Sequence, residues 1–214
     1  MKQAFTLAEV LITLGIIGIV AAMTLPTLIG NHQKKVTIVK LQKAYSTVGN
    51  IFQKAVAENG DIDTWDATDN ETFLKTYILP NINYTKYYTE NCDWSGCFCQ
   101  PAPYTSFYKW PGNQGITSPF PVNGPSVITS DGMCIVIDKK PAFINIWIDI
   151  NNRVNRPNKM AKDTFALKVN NNGKVEGYKG NCIDKLNSKK AGTGQGCFDR
   201  IIRDGWKIKY DWNF

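Results

Sequence analysis

The sequence predicts an α+β protein. A long N-terminal helix, its first half embedded in a membrane, packs on an antiparallel β-sheet with disulfide-closed loops. Three observations carry this expectation. Residues 10–29 hold no charge. A helical apolar stripe continues beyond them. After residue 60, short apolar runs alternate with turn residues, and all six cysteines follow.

The apolar run comes first. Val10 to Ile29 contains 14 aliphatic residues or methionine, with Gly15, Gly18, three threonines and Pro26. At 1.5 Å per residue these 20 positions span about 30 Å, the hydrocarbon thickness of a bilayer. A cleaved secretory signal would need a basic start, a shorter apolar stretch and a small-x-small site. Here Lys2 is balanced by Glu9 and the run is too long. Glu9 stands at the edge of the run, where an unpaired carboxylate is costly and asks for a partner.

Helical spacing persists past the run. Ile38, Leu41, Tyr45, Val48, Phe52 and Ala55 form one stripe, with Lys40, Lys43, Gln53 and Lys54 off it. Asn59-Gly60 is a stop signal. The predicted helix runs from about Phe5 to Glu58. Its second half is expected to pack on its own domain, because the stripe is short for a coiled coil. His32 falls where the helix leaves the membrane and reads as an interfacial histidine.

Beyond Asp61 the period changes. Strands are expected at Ser126–Thr129, Met133–Asp138, Ala142–Ile150, Thr164–Val169, Val175–Tyr178 and Trp206–Tyr210. Asp131-Gly132 and Asn171-Asn172-Gly173 are hairpin turn signals. Aromatics crowd from Tyr84 to Phe120, among them Tyr87, Tyr88, Trp94, Phe98, Tyr104, Phe107, Tyr108 and Trp110, with Lys86 and Lys109 interleaved. This stretch reads either as a second small core under a long loop or as a surface that stacks on nucleic acid bases or sugars.

Composition bounds the function. Of 214 residues, 43% are hydrophobic and 20% charged, which argues against wholesale disorder and fibrous repeats. The net charge of +7 is compatible with anionic partners. The single histidine weakens Ser-His-Asp, Cys-His and multi-histidine metal chemistry. No nucleophile motif is present, and the protein is expected not to be an enzyme.

The segment Ala4-Phe5-Thr6-Leu7-Ala8-Glu9, followed by the apolar run to Ala22, resembles a type IV prepilin N-terminus. That signal is shared by type IV pilins, type II secretion pseudopilins and competence pilins. The resemblance implies cleavage by a prepilin peptidase between Ala4 and Phe5, and methylation of the new N-terminus at Phe5. It places Glu9 fifth in the mature chain, and Pro26 where the family's helix bends or melts within filaments. The family usually has glycine before the cut; alanine is also small. The implied domains are a leader (1–4), a transmembrane and filament-core helix (5–30), its amphipathic continuation (31–60) and a globular extracytoplasmic domain (61–214). In a packed bundle, the free amino group at Phe5 would neutralise the Glu9 carboxylate of a neighbouring subunit.

The same resemblance extends to the later chain. Asp149, Asn151 and Asp163 lie in a stretch similar to a segment of pilin-like proteins, some of which hold calcium there. The three could supply oxygen ligands, although the usual calcium loop has more acids. The bland reading is an Asx-rich turn. Cys182 and Cys197 resemble the C-terminal pair whose disulfide closes a loop, here of about 16 residues and worth roughly 3 kcal/mol. Cys92, Cys97, Cys99 and Cys134 remain, with three pairings open. Zinc is the alternative for these four, but no C-x-x-C occurs.

The expected function is a structural subunit of a type IV pilus or pilus-like filament, serving adhesion, motility, secretion or DNA uptake. Its partners would be identical or related pilin subunits, the peptidase, the inner-membrane assembly machinery and lipid. Nucleic acid is a further partner if the aromatic stretch is a stacking surface. Lysine counts alone (Lys34, Lys35, Lys40 and Lys43 after the run, Lys2 before) would put the C-terminal side in the cytoplasm. The leader motif and the cysteines favour the outside. The chain would cross the cytoplasmic membrane once, then enter a cell-surface or periplasmic filament. The alternative is a membrane-anchored, monomeric, extracytoplasmic binding protein.

Overall fold

The computed structural model describes residues 6–65, 68–89, 124–140, 143–152, 155, 160–180, 182 and 194–210. The chain divides into two compact units, Met1–Val36 and Thr37–Phe214. Helix α1 (Leu7–Asn59) supplies the described part of the first unit beyond Thr6 and the opening element of the second. Pro26 lies inside it and has no N–H to give the carbonyl of Ala22, yet α1 is unbroken across it.

In the second unit, α1 buries Thr37, Leu41, Ala44, Val48, Ile51, Phe52 and Ala55. Four of the six expected stripe residues are therefore fully buried. Ile38 and Tyr45 form its half-buried flank and still pack on the core. The buried stripe is wider than the sequence reading by Thr37, Ala44 and Ile51. The helix stops as expected. Gly60 takes φ +76°, its N–H reaches the carbonyl of Val56 at 2.9 Å, and Asn59 Nδ2 donates to the carbonyl of Ala55. Only glycine enters this left-handed turn without strain.

A short helical run follows. Helix α2 (Asn70–Phe73) continues as a π-helical turn over Leu74–Ile78 and a 3-10 turn over Leu79–Asn81. Asp69 caps α2 by accepting from the Thr72 N–H at 2.7 Å. That hydrogen bond holds its carboxyl below the usual carboxylate range. The helical run aims Phe73 and Tyr77 at Trp65, which stacks on Tyr77 at 4.4 Å.

Six strands make one antiparallel sheet in sequence order: β1 (Tyr84–Tyr88), β2 (Ser126–Thr129), β3 (Cys134–Lys140), β4 (Phe143–Asp149), β5 (Thr164–Val169) and β6 (Val175–Gly177). Alternate residues turn to α1. Ile135, Ile137, Ile144, Ile146, Ile148, Phe165, Leu167 and Val169 join Leu41, Val48 and Phe52 in the main core. The opposite face carries a second cluster of Cys134, Val136, Trp147, Met160 and Ala166. Burial on both faces explains the near-continuous apolar runs of β3 and β4.

Both hairpin signals are turns. Gly132 (φ +85°) closes β2–β3 and Gly173 (φ +75°) closes β5–β6. Lys43 Nζ meets Asp131 Oδ2 at 2.7 Å, tying α1 to the first of these turns. Burial works against the Asp131 charge, but its hydrogen bonds from Lys43 and Thr129 outweigh that, and its carboxyl lies below the ordinary value. A lowered folded pKa stabilises the fold above the unfolded value of about 4, and the gain fades as pH falls through the folded value. Lys43 is 61% exposed, so the pair is worth at most about 1 kcal/mol. Urea denaturation should therefore show Asp131→Asn less stable than the parent at pH 7, with the two converging near pH 2.

The expected strand Trp206–Tyr210 does not form. Its apolar residues point inward from irregular backbone: Trp206 (φ +59°) packs edge-on against Tyr45 and Phe198. The buried Tyr210 hydroxyl donates to the carbonyl of Ala161 at 2.6 Å. Helix α3 (Cys197–Arg203) packs against both β5 and β6. Tyr84–Tyr88, expected only as part of an aromatic loop, is the edge strand β1. Most of that aromatic stretch, from 90 to 123, lies outside the described residues, as does Ala142.

Candidate functional site

The first unit is a helix with an unpartnered apolar surface. Leu11, Ile12, Leu14, Ile16, Ile17 and Ile19 are all exposed. At 100° per residue these positions go right round the axis. Leu7 and Met23 are 78% and 75% exposed. A helix apolar on every side belongs in lipid or in the core of a larger body. The segment is long and apolar enough to cross a membrane.

Glu9 closes the start of this helix. Its Oε2 accepts from the Thr6 N–H at 2.9 Å and from Thr6 Oγ1 at 2.8 Å. The Glu9 N–H reaches back to Thr6 Oγ1 at 3.3 Å. This is a capping box, the reciprocal pairing of an N-cap threonine with a glutamate three residues on. The Thr6-x-x-Glu9 spacing is a capping-box signature within the same motif that assigns Glu9 to a neighbouring subunit. The cleavage residues Ala4 and Phe5 lie outside the described residues.

The C-terminal part is fastened covalently. Cys182 and Cys197 form a disulfide. Cys197 opens α3, and Gly196 before it meets Gly180 so closely that a Cβ would fall on the Gly180 carbonyl. A Cβ on Gly177 would likewise fall on the backbone of Asp199 in α3. Cys134 is also disulfide-bonded, which removes a thiolate that the zinc alternative requires. Cys92, Cys97 and Cys99 lie outside the described residues.

Asp149 and Asp163 are buried where β4 ends and β5 begins. Asp149 shares a ladder row with Cys134 and Thr164, and its Oδ1 accepts the Asn151 N–H at 3.0 Å. The Ile150 N–H donates to the carbonyl of Asp163. The Asx-turn reading is thus realised at Asp149. Two oxygens nearby, Asn151 Oδ1 and Thr164 Oγ1, are buried without a hydrogen-bond partner. An all-oxygen donor set suits calcium. Among the described residues, however, no three His, Cys, Asp or Glu side chains converge as a metal site.

Residues 27–214 match a family of unknown function (DUF6613). The chain belongs to this family. Ahead of the DUF6613 region, residues 1–25 match the prokaryotic N-terminal methylation motif. That match and the α+β architecture, with its apolar leading helix and disulfide, make this DUF6613 chain type IV pilin-like. No curated protein and no solved structure matches it. The methylation motif covers the Thr6–Glu9 box, and the DUF6613 region covers the sheet, the disulfide and all of α1 from Thr27 onward.

Proposed function

We propose that this protein is a subunit of a type IV pilus or pilus-like filament. It is trimmed by a prepilin peptidase after Ala4, methylated at Phe5, held in the cytoplasmic membrane by α1 with the sheet domain outside, and polymerised through α1. One observation carries the reading: a methylation motif heads a helix whose apolar surface is exposed on every side. Such a surface serves twice, first in lipid and then against the helices of neighbouring subunits. Adhesion, motility, secretion and DNA uptake are the uses such a filament would serve.

Intact mass and N-terminal sequencing of protein from membranes and from sheared surface material test this. A chain beginning at methylated Phe5 in the sheared fraction is the expected result. A chain beginning at Met1 and confined to membranes would replace the filament with an anchored monomeric binding protein.

Calcium is the second part of the proposal. Asp149, Asn151 and Asp163 would hold it, supported by the two buried oxygens without partners. Bound calcium would tie the end of β4 to the start of β5. A millimolar excess over Kd should raise the melting temperature of the chelator-treated chain, as any native-state ligand does. No shift on calcium addition would leave Asp149 and Asp163 as turn residues only.

A further inference from the structure

The second unit carries a cleft that the filament reading does not use. It has a volume of about 480 Å³, within the range of small-molecule sites. Met133 and Ile150 contribute apolar surface. Lys40 and Lys43 come from α1, and Asn151, Asn152 and Asn155 from the segment after β4. The elements that meet here are a rigid helix, a tight hairpin and an asparagine-rich turn.

Two features of this cleft point to an anionic occupant, and the asparagines beside them suit a hydroxylated one. Lys40 is exposed and has no ion-pair partner among the described residues. Lys43 is held at the cleft by Asp131, whose carboxylate also accepts from Thr129 Oγ1. Asn152 stands at φ +67°, a left-handed turn conformation that asparagine adopts readily. The sequence from 151 to 159 also carries Arg153, Arg156 and Lys159 and no acid; these three lie outside the described residues and are not counted in the site.

We infer that this cleft binds a sugar-sized anion, a sugar acid or a sugar phosphate. Lys40 and Lys43 meet the charged group. The amides of Asn152 and Asn155, each both donor and acceptor, meet the hydroxyls. Met133 and Ile150 meet the apolar C–H surface of the ring. Asp131 excludes a second anion and keeps Lys43 oriented, so charge is recognised at one end of the cleft only.

The test uses the full chain in neutral detergent micelles, titrated calorimetrically with glucuronate, glucose 6-phosphate and glucose. The expected result is binding of at least one of the two anions, and at least about tenfold weaker binding of glucose. Lys40→Ala should weaken the anion at least about tenfold, the factor that matches about 1.4 kcal/mol. Asn155→Ala should weaken it as well. Lys40 is solvent-exposed in mid-helix, and alanine is a strong helix former, so this variant stays folded, which circular dichroism verifies. No binding of either anion, glucose binding as tight as the anions, or anion binding unchanged in Lys40→Ala would each overturn the inference. If only the phosphate binds, the site is a sugar phosphate site; if only the carboxylate binds, a sugar acid site.

Discussion

A chain carrying Glu9→Gln should insert in the membrane as the parent does, yet form at least about a hundredfold fewer filaments. Removing one member of a buried ion pair costs about 3–5 kcal/mol, which is two to four powers of ten in an assembly constant. The choice of glutamine separates two roles for this side chain. Glu9 caps its own helix through Thr6, and glutamine at that position still serves a capping box. Glutamine does not carry the charge that a neighbouring N-terminal amine would need. Thr6→Val is the converse, because it breaks the box and keeps the carboxylate. Counting filaments by electron microscopy in both strains decides the matter. Loss in Glu9→Gln with little change in Thr6→Val places the work on charge between subunits. The reverse pattern would make Glu9 part of its own helix's cap and would end its proposed role in assembly.

The second large effect is expected at the C-terminal end. Replacing Cys182 and Cys197 together by serine opens a loop of sequence separation 15, which the chain-entropy model values at roughly 3 kcal/mol. For a chain of this size the melting temperature should fall by about 6–12 °C. Gly196→Ala should act in the same direction with the disulfide intact, because its Cβ has no room beside Gly180. Calorimetry of the three proteins is the check. An unchanged melting temperature in the double serine variant would mean that Phe198 and Ile201, both buried, hold α3 without help. The constraint would then be redundant.

The legible parts of this fold are those where one local rule acts alone. The apolar run is a helix of membrane-crossing length, as its composition and length require. Leu41, Val48, Phe52 and Ala55 face the core because helical spacing leaves them no other face. Gly132 and Gly173 end their strands because both take positive φ. The misread parts are those where tertiary context decides. Trp206, Ile208 and Tyr210 alternate like a strand, but they pack on the main core, Trp206 against Tyr45 and Tyr210 through its hydroxyl on Ala161, with no strand partner among the described residues. Helix α3 itself was invisible: seven residues are too few for periodicity to show. Tyr84–Tyr88 gave no alternation because four of its five residues are exposed. At the candidate sites, Glu9 is legible twice, from the family motif and from its spacing to Thr6. The cleft at Lys40 and Asn151 had no sequence signal, since it joins residues more than a hundred positions apart.

The order of the strands has a consequence for how the domain is made. Every strand pairs with its immediate predecessor and successor in sequence. From β2 to β6 each strand can therefore dock on one formed just before it, a local order that favours rapid growth, whereas β1 joins across the long segment between Tyr88 and Ser126. The cysteines at 182 and 197 come after the last strand, and their bond fastens the start of α3 to the chain leaving β6, where the bare backbones of Gly177 and Gly180 let the helix lie close. The last element of the domain is thus held by a covalent link as well as by packing.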